Sequence, residues 1–293
     1  MQFKTKKQFL ILFLGFLLFP FLSNAATLYF SPETAEYGKG DIFKVDVRLD
    51  TKGDSINTCE VKISFNKNQL EVTDISKGGS LMTLWAKDPF YSDAEGTIIL
   101  VGGMPGGFRG DGKIISIIFR AIESGSANLS FQDGSRVLLN DGKGTPAPLV
   151  KEDAIFEISS SPTGQFFDEW QKEIEKDKIS PEPFEIKIGQ DPAVFEGKYF
   201  IVFSTTDKQT GVAYYQIKEG DSEWKVGESP YLLDNQDLKE KISVKAIDKA
   251  GNERIEELSP SKSQIFYLEI LSLLIIIFCL IYFIFKKFKF KKS

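Results

Sequence analysis

The residue types that most often carry chemistry are unevenly supplied. The chain has 41 Asp and Glu side chains but no histidine. Without an imidazole there is no Ser-His-Asp or Cys-His relay and no ordinary zinc ligand set. Carboxylates alone can hydrolyse a glycoside, but that needs two of them at a defined separation, and no pair stands out. The stretch "GGMPGGFRGDG" (102–112) is rich in glycine. It leads into a strand-like run rather than a helix, so it offers no helix N-terminus to a phosphate. Its Arg109-Gly110-Asp111 is the tripeptide of an adhesion ligand. The surrounding glycines are also what a turn feeding the next strand requires, and the turn is the expected role. No enzyme is expected.

Two kinds of binding group remain. "DTKGDSIN" (Asp50, Asp54) and "NDGKG" (Asn140, Asp141) place oxygen ligands of the kind calcium takes on loops. Neither has the spacing of an EF-hand, and Asp/Asn/Gly loops form turns without any ion, so no metal or cofactor is assigned. The longest stretch without periodicity, residues 76–96, carries Trp85, Phe90 and Tyr91. Loop aromatics stack on sugar rings or anchor protein interfaces, and equally cap a sandwich core. These three are the candidate ligand-binding residues.

Both ends of the chain read as membrane signals. Lys4, Lys6 and Lys7 precede an apolar run from Phe9 to Leu22 that reaches Ser23-Asn24-Ala25. This is the pattern of a secretory signal over 1–25, cleaved after Ala25. Residues 265–285 form a 21-residue apolar segment, which as a helix would span about 31 Å. Five lysines follow within 286–293, which places that tail in the cytoplasm and residues 26–264 outside. Setting aside those eight terminal lysines and Glu269 leaves 28 basic against 40 acidic side chains, a charge near −12. Such a surface argues against nucleic acid as a partner. Cys59 and Cys279 fall on different sides of this division and cannot pair, so Cys59 is expected in a strand core.

From Ala26 to Ser159 the hydrophobic period is two. "FKVDVRL" points Phe43, Val45, Val47 and Leu49 one way, and "CEVKISF" does the same with Cys59, Val61, Ile63 and Phe65. Strict alternation means half-buried strands of an antiparallel sheet. Seven further runs bring the total to about nine short strands separated by turn residues, which indicates an all-β sandwich. "KIISIIFRA" (113–121) breaks the pattern by being apolar on both faces. Either the chain covers both faces of this strand, or its outer face meets a partner.

These segments carry a family resemblance. "YGKGDIFKVDVRLDT", "INTCEVKISFNKNQLEVTDISKGG", "EGTIILVGGMPGGFRGDGKIISIIFRA" and "SGSANLSFQDGSRVLLNDGKGTPAP" together resemble a cohesin domain over residues 26–159. Lys67-Asn68 stands where that family has Asp-Pro. The resemblance implies a nine-stranded jelly-roll β-sandwich, related in fold to carbohydrate-binding modules, whose usual partner is a dockerin.

Residues 160–183 read as a linker in which Phe166, Trp170 and Ile174, four apart, would form one face of a short helix. That helix would lean on a neighbouring domain or bind a partner of its own. Residues 184–260 form a second, smaller β domain. "TGVAYYQIKEGDSEWKVGESPYLL" with "ISVKAIDKAGN" resembles bacterial Ig-like repeats, which implies a stalk. Tyr214, Trp224 and Tyr231 are expected there as core or turn residues.

The expected protein is a non-catalytic, single-pass surface protein whose cohesin-like head binds a dockerin or another surface protein module. The alternative is a carbohydrate-binding module that attaches the cell or its associated enzymes to polysaccharide. A further alternative is a structural envelope component.

Overall fold

The computed structural model describes residues 25–160 and 166–259, together with Leu274, Ile276 and Ile277. Apart from Ala25 and those three, the signal segment 1–25, the apolar segment 265–285 and the basic tail 286–293 lie outside the described residues. Among the described residues no helix is long and apolar enough to cross a membrane. The chain divides into two units. One comprises residues up to Glu182 with Thr205–Ala213 and Ile247–Glu253; the other holds Pro183–Ser204, Tyr214–Ala246 and the residues from Arg254.

The first unit is a sandwich of two sheets. Its strands are β1 (Ala26–Ser31), β2 (Thr34–Gly38), β3 (Ile42–Asp50), β4 (Ile56–Phe65), β5 (Leu70–Ser76) and β6 (Leu84–Ser92). They continue with β7 (Thr97–Phe108), β8 (Asp111–Ala121), β9 (Gly125–Phe131), β10 (Arg136–Leu139), β11 (Leu149–Glu152) and β12 (Ala154–Ser159). The first sheet runs β11-β1-β3-β8-β5; the second runs β2-β12-β9-β4-β7-β6, with β10 also paired to β4. β1 and β2 each pair in parallel with a late strand, β11 and β12 respectively. Pro32, which cannot donate to a ladder, separates β1 from β2 where the chain changes sheets.

The alternation read from the sequence places the core correctly. Phe43, Val45, Val47 and Leu49 of β3 face Cys59, Val61, Ile63 and Phe65 of β4 across one buried cluster. Phe43 stacks on Tyr37 with ring centroids 3.7 Å apart and meets Phe156 edge-on at 5.5 Å. Cys59 is a fully buried free thiol whose pKa burial pushes far up, so it is an inert core residue.

The strand count departs from the expected nine: this sandwich has twelve. β2 and β11 are short, and β6 lies in the stretch expected to be a loop. β6 is an edge strand with register shifts between Trp85 and Lys87 and between Lys87 and Phe90. Bulges displace side chains from strict alternation, which hid the strand from a period-two search.

The linker contains one helix, α1 (Glu169–Lys176). Asp168 caps it by accepting from Gln171 N at 2.7 Å, while Glu169 and Lys176 suit the two ends of the helix dipole. Phe166, expected on the helix, precedes the cap and lies against Gly40 instead. The cause is visible in the backbone: Phe167 N donates to Asp41 Oδ1 and Ile42 N donates to Phe167 O, which hold this segment extended beside β3. Trp170 is buried and Ile174 is half-buried.

The remaining strands are β13 (Lys187–Asp191), β14 (Val194–Val202), β15 (Val212–Glu219), β16 (Lys225–Gly227), β17 (Tyr231–Leu232), β18 (Ile242–Asp248) and β19 (Glu253–Leu258). They form a three-stranded sheet, β13-β14-β17, and a four-stranded one, β16-β15-β18-β19. Ile186, Ile201, Phe203, Ile217, Leu233, Ile242 and Val244 make their core. Tyr231 packs against that core, Trp224 is half-buried beneath Lys245 Nζ, and Tyr214 is exposed.

Candidate functional site

A β-sandwich has two outer faces, and here they differ. The outer face of the first sheet is covered. β8 is buried on both sides, with Ile115 and Ile117 inward and Ser116 and Ile118 outward, all within about 1 % of full burial. Ser116 Oγ donates to Asp46 Oδ1 at 2.6 Å. Helix α1 lies against β3, where Lys44 N donates to Glu169 Oε2 and Lys44 Nζ pairs with Glu173 at 2.6 Å. Thr205–Ala213 and Ile247–Glu253 attach along β5 and the turn after it. Ser76 Oγ donates to Thr210 O at 2.6 Å, Gly79 N to Asp207 O at 2.8 Å, and Lys249 Nζ reaches the Asp74 carboxylate at 2.5 Å. The two apolar faces of "KIISIIFRA" are thus both covered by the chain itself.

Among the described residues of this unit, none covers the outer face of the second sheet. Cross-strand partners share a face, so the register lays it out: Ile155 opposite Asn128, Ser130 opposite Ser64, Lys62 opposite Ile99, and Glu60 opposite Val101. Arg136 on β10 grips Glu60 with two hydrogen bonds of 2.8 and 2.7 Å, which hold that carboxyl below its usual range. β6 completes the face with Leu84, Lys87 and Phe90 opposite Gly103, Val101 and Ile99. Leu84 is 59% and Phe90 58% exposed. Apolar anchors among polar and paired charged groups suit protein recognition. Lys87, Pro89 and the bulges of β6 also discourage addition of another strand at this edge.

The three aromatic candidates do not form one surface. Phe90 is on the open face. Trp85 pairs with Gly102 on the inner side, packs against the core and has Lys77 Nζ 5.5 Å from its ring centre. Tyr91 pairs with the buried Ile98, on the same side as Trp85, but remains partly exposed at the sheet edge. Leu84 was missed because a lone leucine in an unpatterned stretch has no periodic signal.

The oxygen-rich loops serve their own turns. Asp50 accepts from the Lys52 amide and ammonium, and Asp141 from Thr145 Oγ1 and Lys143 N. Those bonds, the side-chain ones foremost, hold both carboxyls low. Asn140 Nδ2 donates to Gly106 O at 2.9 Å. Among the described residues these loops make no three-carboxylate cluster; the one such group is Asp177, Asp207 and Asp248. The adhesion-like tripeptide is likewise engaged. Asp111 Oδ1 accepts from Arg48 Nε and Nη2 (3.1 and 2.5 Å), Oδ2 accepts from the Tyr29 hydroxyl at 2.5 Å, and Arg109 bonds to Gly53 O. An acidic side chain held on both oxygens is not free for a receptor.

Comparison with known proteins places this sandwich. Residues 30–145 match the family model of the cohesin domain. No curated protein matches the chain. Among solved structures, a non-cellulosomal cohesin from the hyperthermophilic archaeon Archaeoglobus fulgidus is 24% identical, covering 46% of this chain and 92% of that one, with a TM-score of 0.40. The seventh ScaB type I cohesin from Pseudobacteroides cellulosolvens is 14% identical over 48% and 96% of the two chains, with a TM-score of 0.41. A type I cohesin–dockerin complex from Clostridium thermocellum is 15% identical over 46% and 100%, with a TM-score of 0.39. The family match covers residues 30–145, less than half of the chain, and cohesin domains are non-catalytic protein-interaction modules.

Proposed function

We propose that this chain presents a cohesin domain outside the cell, and that the open face of its second sheet receives a dockerin-type protein module. The observation that carries the reading is the asymmetry of the sandwich. One outer face is occupied by the chain's own helix and loops, and the other displays Leu84 and Phe90 to solvent. The titles of several similar structures name dockerins as the partners of their cohesins, which supports that partner class here. A polysaccharide partner is less well served, because a sugar-stacking platform needs aromatics on one face and Trp85 is turned inward.

Binding of a panel of dockerin modules to the full-length chain, measured calorimetrically, tests the reading. At least one module should bind, and Phe90→Ala should weaken it by about 30-fold, the effect of losing a central anchor worth roughly 2 kcal/mol. A panel that fails to bind, beside a glycan array that does, would replace this reading with the carbohydrate one.

The display rests on the sequence: 1–25 as export signal, 184–260 as an Ig-like stalk, 265–285 as the membrane span and 286–293 as a cytoplasmic tail. Protease added to intact cells should remove the 26–264 region and leave a membrane-protected fragment ending in the lysine-rich tail. Full protection of the chain until the cells are lysed would contradict this topology.

A further inference from the structure

Three segments remote in sequence meet within the first unit: the end of α1, Thr205–Ala213 and Ile247–Glu253. Each brings one aspartate. Asp177, Asp207 and Asp248 are 1%, 2% and 2% exposed, and each offers a carboxylate oxygen within 4.8 Å of the other two. Hydrogen bonds reach both oxygens of two of them. Asp177 Oδ1 accepts from Ile179 N at 3.0 Å, and Oδ2 from Thr210 N at 3.1 Å and Thr210 Oγ1 at 2.6 Å. Asp248 Oδ1 accepts from Ala250 N and Asn252 N, and Oδ2 from Asn252 Nδ2 at 2.9 Å.

Asp207 is different. Its Oδ1 accepts from Gln209 N at 2.9 Å and Gly211 N at 2.8 Å, but its Oδ2 is buried with no hydrogen-bond partner. Burying one unpaired charge is costly, and three together repel one another.

We propose that Asp177, Asp207 and Asp248 are the ligands of a calcium ion. The donor set is all carboxylate oxygen, which selects a hard cation. Oxygens up to 4.8 Å apart fit around an ion that takes its ligands at about 2.3–2.6 Å. Magnesium holds its water shell more tightly than so buried a site allows. Asp207 Oδ2 is buried with no hydrogen-bond partner, and an ion there compensates the charge that three buried carboxylates bring together. Bound there, calcium ties the end of α1 to both outlying segments, the same segments that cover the first sheet.

The test is calcium titrated into the chelator-treated full-length chain, followed by calorimetry and thermal unfolding. One ion should bind per chain and raise Tm, with magnesium at equal concentration raising it less. Asp207→Asn removes a buried charge and keeps an oxygen for the loop amides. In chelator it should melt higher than the wild type, while its calcium affinity falls at least tenfold. Asp141→Asn, on an exposed turn, should keep the full calcium response. A wild-type chain with no binding heat and a Tm indifferent to calcium and chelator would overturn the proposal, as would tighter binding of magnesium. Should Asp207→Asn fail to fold, the wild-type titration decides alone.

Discussion

Phe43→Ala should lower the unfolding free energy of the cohesin sandwich by about 3–5 kcal/mol, the usual cost of emptying a buried phenylalanine site. The upper end is expected. Phe43 is fully buried, stacked on Tyr37 at 3.7 Å, edge-on to Phe156 at 5.5 Å and tilted against Phe119 at 6.0 Å. Those rings come from β2, β12 and β8, so the cavity would open where both sheets contribute and neither can close it alone. Phe43→Leu keeps most of the volume and should cost only about 1 kcal/mol. Urea unfolding reads both as a drop in midpoint at unchanged slope. A loss for Phe43→Ala below that of Phe43→Leu would mean that the ring cluster does not support the fold.

Gly78→Ala should cost about 3 kcal/mol, although the position looks like an ordinary turn glycine. A Cβ there would sit 2.1 Å from Gln209 O and 2.7 Å from Gly211 N. Both are backbone atoms, so no side chain can swing aside, and overpacking of this kind destabilises. Gly211 faces it in the same way, with its own Cβ position 2.8 Å from Gly78 N. The added methyl must push Thr205–Ala213 away, which breaks Ser76 Oγ to Thr210 O and Gly79 N to Asp207 O. Hydrogen exchange should show the Gly79 amide losing protection while the amides of β3 and β4 keep theirs. Unchanged protection at Gly79 would show that the segment tolerates the methyl.

The legible part of this protein was the part governed by local periodicity. Alternation in "FKVDVRL" and "CEVKISF" names the inward residues of β3 and β4 because side chains in a strand must take opposite faces. The doubly apolar "KIISIIFRA" left open whether the chain itself or a partner covers the outer face of β8, and the fold shows the chain covering both. α1 was foreseeable from its spacing, yet its start was not, since Asp41, in the distant turn before β3, captures the Phe167 amide. β6 escaped because edge position and bulges remove the pattern that periodicity needs.

Sites that depend on long-range contact behaved differently. Trp85, Phe90 and Tyr91 are neighbours in sequence, but a pleated strand sends Phe90 to one face and Trp85 and Tyr91 to the other. Asp177, Asp207 and Asp248 are far apart in the chain and become neighbours only when three segments are folded together. By itself the sequence determined an all-β sandwich of cohesin type, its core and its lack of imidazole chemistry, because composition and two-residue period are local properties. Only the tertiary structure decided which sandwich face the described segments cover and which carboxylates are buried together, because those depend on which distant segments pack together.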